Sequence, residues 1–317
     1  MNNILNKVLE TCSVVVNKSK LVKINYEKTN DLIDELLMFD NVHYLTKVPY
    51  KIYEMSTQDI INFLLIYDAI DFSFWGDPKW TINRNEKELD GGIALLDCIF
   101  KLFENKNSIE VYKKIEEMNL EDFKKLLKGN VEIPLLKERY EIITSIAKHV
   151  NINMSGNFYE YIKNMNKDID IFNTIINNFP SFKDTRVYED KEIYFYKLAQ
   201  LLTSDILHVI NIKEHKNISY ENLIGCADYK IPQVLQAFDI LSYDPELTNI
   251  INSKTEIKEN SVYEVEIRAN MIMVIDYIYN KIDKRISRID INDFIWSKGQ
   301  DKTKKYQPYH LTRTTNY

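Results

Sequence analysis

A chain of 317 residues that is 45% hydrophobic, 28% charged and 12% aromatic, with no low-complexity tract, is expected to fold around a continuous core large enough to enclose a ligand. Its 41 Lys and Arg against 47 Asp and Glu give a net charge of −6 without any basic block, which argues against a nucleic-acid partner, because phosphate neutralisation supplies most of that affinity. Cys12, Cys98 and Cys226 are odd in number and lack CxxC or paired-His spacing, so neither a disulfide framework nor a zinc site is expected, and a reducing cytoplasm is the expected location.

The first helix is predicted over 3–14; it carries Glu10 inside its apolar stretch, unlike a signal peptide. No later run reaches about 18 uncharged apolar residues, so no membrane span is expected. Only seven glycines and seven prolines punctuate the chain, and apolar residues recur at three- and four-residue steps, so the fold class is all-α with few or no strands. Helices are predicted next over 29–39, 57–70, 90–105, 109–117 and 120–128, with Ser56 and Asn119 as N-caps of the third and sixth. Four more follow over 134–150, 157–164, 168–178 and 190–213. The last three cover 230–239, 261–281 and 290–297. Within 261–281, Val262, Val265, Ala269, Ile272, Ile275 and Tyr279 form one apolar stripe. The whole chain, 1–317, reads as a single domain of two helical lobes, about 1–165 and 166–317, with a cleft between them.

Four segments carry candidate chemistry. Tyr67 to Trp80 ends an apolar helix with a dense run of aromatics and acids. Flat rings sandwich a planar heterocycle and Asp71 can accept from a guanine-like edge, whereas composition alone favours a buried aromatic plug. Lys197, Leu201 and Asp205 share a helix face, so Lys197 either meets an anion inside or snorkels at the surface. Gly225 and Pro232 bracket Asp228, which suits a tight turn at a helix N-terminus, where backbone amides keep a carboxylate ionised; a plain N-cap explains the same pattern. Glu264 and Arg268 read as an exposed ion pair of little consequence. The five histidines, His43 among them, form no metal or triad motif, and no phosphate loop is present, so no metal or cofactor is expected.

Taken in order, IYDAIDFSFW, FKDTRVYEDKEIYFYKLAQLLTSD, CADYKIPQVLQAFDIL and EVEIRAN resemble the queuosine salvage protein family over roughly residues 40–300. The resemblance implies a helical fold partly similar to helix-hairpin-helix DNA glycosylases. It also implies hydrolysis of queuosine 5′-monophosphate, or of queuosine itself, to free queuine that is salvaged into tRNA modification, with the small molecule rather than tRNA as the partner. By motif, Asp228 is then the catalytic carboxylate with Lys197 beside it. Asp71, Phe72 and Trp75 contribute to the base pocket, while Tyr229, Lys230, Asp205 and His43 complete the substrate contacts. Asp71 stands where the family commonly has Asn, and Lys230 or Leu198 where it often has Arg.

The chemistry implied is cleavage through an oxocarbenium-like sugar, which a fixed carboxylate stabilises. Queuine is a 7-deazaguanine and lacks the usual protonation site, so help for its departure must come another way, from donors or acids around the pyrimidine edge and from stacking by Phe72 or Trp75. A DNA-repair glycosylase and a non-catalytic nucleoside-binding protein are the rival readings.

Overall fold

The computed structural model describes residues 4–40, 43–46, 48, 52–104, 106–301 and 303–317. The protein is mainly helical, with fourteen α-helices and six short strands among those residues. The N-terminal half contributes α1 (Asn6–Lys18), α2 (Thr29–Leu37), α3 (Thr57–Asp68), α4 (Gly91–Phe103), α5 (Ser108–Glu117), α6 (Leu120–Leu126), α7 (Leu136–Asn153) and α8 (Phe158–Ile162). After α9 (Asp168–Asn178) come α10 (Lys197–Lys213), α11 (Lys230–Ala237), α12 (Pro245–Asn252), α13 (Val262–Lys281) and α14 (Arg288–Gly299). Among the described residues no helix is long and apolar enough to cross a membrane. Of the expected helices, the first and fourth have their end residues Asn3 and Asn105 outside the described set.

The caps predicted at Ser56 and Asn119 form: Ser56 Oγ accepts the Asp59 N–H at 3.1 Å and Asn119 Oδ1 the Asp122 N–H at 2.9 Å. Two expectations need correction. The helix placed over 190–213 begins only at Lys197, because Thr185–Tyr188 (β4) and Lys191–Tyr194 (β5) pair as a hairpin. Its two-residue turn, Glu189 and Asp190, has positive φ at both positions (45° and 62°), the requirement of a type I′ hairpin turn. The same device at Asn85 and Glu86 joins Thr81–Arg84 (β2) to Lys87–Asp90 (β3). Val22–Ile24 (β1) pairs antiparallel with the distant Leu241–Tyr243 (β6). Helix α12 was not anticipated, although Asp244 accepts the Leu247 N–H at 2.8 Å and Pro245 occupies the first turn.

Helix α13 is the second correction. It does not present one stripe to a core; it is buried around its circumference, including Glu264, Glu266 and Arg268. Each charge is answered. Glu266 accepts from the Leu21 and Val22 amides (2.8 and 3.2 Å) and the Tyr188 hydroxyl (2.9 Å), fixing α13 to β1 and β4. Glu264 accepts from Arg186 Nε at 3.0 Å and lies 3.4 Å from Arg268, so this pair is fully buried rather than exposed. Arg268 is bound in bidentate fashion by Asp184, with Nη1 3.0 Å from Oδ1. Burial alone would push the Asp184 carboxyl up, but Arg268 and then Arg186 hold it below the ordinary carboxylate range.

Removing one member of such a buried pair strands the other. Asp184→Ala should therefore cost about 3–5 kcal/mol of stability, read as a lowered denaturant midpoint; a midpoint within experimental error of the parent would show that the network is dispensable.

Candidate active site

A cavity of about 790 Å³ is lined by residues from both halves of the chain. Asp228 enters it from the turn before α11. Gly225 there has φ of 134°, and a side chain at this position would meet Ile275 at 3.2 Å, so the turn accepts only glycine without strain. Three side chains fix the turn's backbone. Gln200 Oε1 accepts the Ile224 and Gly225 amides at 2.7 and 3.1 Å, and Asn292 Oδ1 accepts the Cys226 amide at 2.8 Å. Arg268 Nε donates to the Ala227 carbonyl at 2.9 Å. Asp228 Oδ1 in turn accepts the Lys230 and Ile231 amides at 2.7 and 3.2 Å. Capping and lining the cavity are thus combined in one residue. Contrary to the expectation of a firmly ionised group, burial pushes its carboxyl up, against the opposing pull of Lys197 and the two amides.

Lys197 opens α10 and is only 5% exposed. Its backbone N–H donates to Asp184 Oδ2 at 3.2 Å, and its Nζ lies 3.4 Å from Asp71 Oδ2 and 3.2 Å from the Asp71 carbonyl. Burial would lower the ammonium, but the charges of Asp71 and Asp228 more than offset it and hold the group above its ordinary value. Lys197 is therefore a cation, not an amine nucleophile. The loop carrying Asp71 has no regular structure and is tied by Arg139 of α7, whose guanidinium bonds the carbonyls of Ile70, Phe72 and Ser73 and that of Pro134 (2.9 Å) while stacking on Phe72. Gly92 passes close behind: a Cβ there would lie 2.9 Å from Asp71 Oδ1.

Lys197, Leu201 and Asp205 all line the cavity, as do Asp71, Phe72, His43, Tyr229 and Lys230. Trp75 does not; its Nε1 donates to the Thr312 carbonyl at 3.2 Å and its ring lies under Arg313, so it anchors the C-terminal segment. Tyr229 packs on Tyr309 with centroids 4.7 Å apart, and Lys230 Nζ lies 4.8 Å from the same ring. Lys79, Lys230, Lys304 and Lys305 line the cavity together with Asp90 and Asp301, and a second group of lining residues, Asp205, Asp293, His43, Tyr44 and Trp296, is linked by its own contacts and fields. In the second, Asp205 accepts a short hydrogen bond from the Tyr44 hydroxyl and lies 3.2 Å from His43 Nε2. Sequence reading overlooked Tyr44, Asp293 and Trp296; an acid and a Trp three residues apart in INDFIW were the available signal.

Titration around this group is divided. Asp68 on α3 is fully buried with neither oxygen hydrogen-bonded among the described residues, and burial followed by the charges of Asp205 and Asp71 pushes it well up, so it is carried neutral. Asp293, bonded by Asn292 Nδ2 at 3.1 Å, is pushed up to about 7 by burial, with His43 opposing. His43 stacks on His208 at 3.7 Å. Burial would lower His43, but the Asp205 hydrogen bond and charge raise it; His208, bonded to the Tyr53 hydroxyl, is pushed down to about 3 by burial and then by His43. No group of three or more His, Cys, Asp and Glu among the described residues could hold a metal ion.

The His208 shift has a sign. Its folded value of about 3 lies below the ordinary 6.5, so the unfolded chain binds more protons and stability falls as pH drops from 6.5 toward 3. His43 acts oppositely, adding stability below 6.5 that is lost as pH rises through its raised value. His208→Asn should therefore show a smaller fall in melting temperature between about pH 7 and pH 5 than the parent; parallel curves would refute this assignment.

Against known proteins, the family model described as queuosine salvage protein matches residues 51–317. A protein of Sphaerobacter thermophilus named queuosine 5′-phosphate N-glycosylase/hydrolase is 31% identical over 263 residues, 81% of either chain. Proteins of the same name from Dictyostelium discoideum and Bos taurus are 25% and 26% identical, covering 99% and 81% of this chain and 100% and 81% of their own. By this match over most of its length, the chain belongs to the queuosine salvage protein family.

Proposed function

We propose that this protein is an N-glycosidase that hydrolyses queuosine 5′-phosphate to queuine and ribose 5-phosphate. The name carried by its relatives supports the reaction class. The observation that carries the reading is Asp228 beside Lys197 in a cavity lined by both lysines and carboxylates. We orient the substrate by the chemistry of the lining groups: the 5′-phosphate toward the lysines, the base toward Asp205 and His43, and the sugar between, walled by Asp71 and Phe72. A carboxylate such as Asp205 accepts the ring and exocyclic N–H groups of a guanine-like edge, and Trp296 and Tyr44 offer faces to stack on.

In this reading the C1′–N bond lengthens while Asp228 faces the positive charge growing on the ribose. The cost of desolvating that carboxylate is recovered only when the cation appears, which stabilises the transition state more than the ground state. Lys197 keeps Asp228 ionised and holds Asp71 in place. Water then attacks the anomeric carbon and ribose 5-phosphate leaves. The base so released is free for reuse in tRNA modification. We read the chain as one domain, with this cavity between its two helical halves, and the three buried thiols suit a reducing cytoplasm. The acidic surface balance and carboxylate-lined interior do not favour a duplex-DNA substrate.

Incubation with queuosine 5′-monophosphate and chromatography for queuine tests the reading; no release by the parent protein would sink it. Asp228→Asn, which keeps the cap, should lower kcat by about a hundredfold or more, and Lys197→Met by more than about tenfold, both with folding intact. Because Asp228 must be ionised and its carboxyl is raised, kcat should fall as pH drops through a value above the ordinary carboxylate range. An acid limb at the ordinary position would contradict the role.

A further inference from the structure

The proposed reaction leaves a chemical gap. A 7-deazapurine has carbon where a purine has its basic ring nitrogen, so an acid that assists departure while N9 is still bonded to the sugar must act on an acceptor of the pyrimidine ring. An acid facing that ring is required where the base sits. Of the carboxyl groups that line the cavity, Asp205 and Asp293 are the two grouped around His43. Asp205 is committed as an acceptor: it takes the Tyr44 hydroxyl and pairs with His43. Asp293 on α14 has a different setting. Among the described residues its recorded side-chain hydrogen bond is the one from Asn292 Nδ2, and Asn292 is the same side chain that holds the Cys226 amide of the Asp228 turn. One asparagine thus fixes the spacing between the two acids.

Resting on the function proposed above, we propose that Asp293 is the catalytic acid that protonates the departing base. As the C1′–N9 bond breaks, its electron pair passes to the base, and the Asp293 carboxyl gives its proton to an acceptor atom of the pyrimidine ring, leaving an Asp293 carboxylate and a charge-neutral ring tautomer that passes to the N9–H form of queuine by proton exchange with solvent. Water adds to the ribosyl cation and loses one proton, which restores the Asp293 acid through solvent, so atoms and charge balance over the cycle.

The setting keeps the acid available. Burial raises Asp293 to about 7, and the groups whose fields reach it are His43 before the α3 segment, Asp205 on α10, Asp290 on its own helix, and Tyr220 and Cys226 on the loops between α10 and α11. Asp205 and Asp290 raise it and His43 lowers it. Asp228 and Asp293 therefore divide the work expected of a carboxylate pair, one ionised and one protonated.

The experiment is the pH dependence of queuine release by the parent protein, Asp293→Asn and Asp293→Glu. The parent should lose kcat as pH rises through about 7. Asp293→Asn, nearly isosteric, should lose about a hundredfold in kcat at acidic pH with KM changed by less than about threefold, and its basic limb should disappear. Asp293→Glu should restore part of kcat together with a basic limb. With a 7-deazaguanine nucleotide bearing an electron-withdrawing 7-substituent, whose base leaves without an acid, the Asn penalty should shrink at least about tenfold. An Asn variant that keeps the basic limb, or that loses kcat equally for both substrates, would overturn the assignment. If the variants do not fold, the parent decides: kcat that is flat between about pH 6 and 9 removes Asp293 while leaving the glycosidase reading intact. No queuine release by the parent at any pH would instead fail the function itself.

Discussion

The Asp184–Arg268 pair is the constraint on which the site depends. Its guanidinium lies between the rings of Phe195 and Tyr317, donates to the Ala227 carbonyl and is gripped by Asp184, whose second oxygen also accepts the Lys197 amide. A fully buried ion pair is expensive to desolvate and is tolerated only where nearly every donor and acceptor is used. Here Arg268 Nε is spent on the carbonyl next to Asp228, Asp184 accepts the amide of Lys197, and Arg268 Nη1 also reaches Glu264. The pair therefore converts a desolvation cost into a fixed distance between the turn before α11 and the start of α10.

Around that frame, charge is separated in a way that bulk water would not permit. Lys197 stays cationic because two carboxylates face it, Asp68 stays neutral because burial and then two carboxylates disfavour its charge, and His208 stays neutral through burial and a neighbouring histidine that leans toward the charged form. Such divergence among neighbouring groups is a common mark of a site built for proton and charge transfer. The surrounding core contributes by excluding solvent, so that each of these interactions acts at short range in a medium of low polarisability.

Much of this is legible in the amino-acid sequence. Periodicity and caps such as Ser56 and Asn119 located thirteen of the helices, and the spacing of Lys197, Leu201 and Asp205 placed three cavity residues on one face. The β4–β5 hairpin was hidden because Lys191–Tyr194 runs into an apolar stretch of helical spacing, and only the positive-φ pair at Glu189 and Asp190 separates the two. Burial of Glu264 and Arg268 was hidden for another reason. A charged pair four residues apart looks identical on a surface and in a core until its long-range partners, Arg186 and Asp184, are known. Trp75 and Asp71 lie in the same short motif, yet the chain turns one away from the cavity and the other into it, a divergence that composition does not encode.

Arg139 has a consequence for kinetics. A cavity wall made of loop would ordinarily need to close over its ligand, and closure takes time on the microsecond-to-millisecond scale. Here a buried guanidinium bonds the carbonyls of Ile70, Phe72 and Ser73 and braces the faces of Phe72 and Phe74. The wall is set during folding rather than during binding. The entropy of ordering that loop has then been met before any ligand arrives.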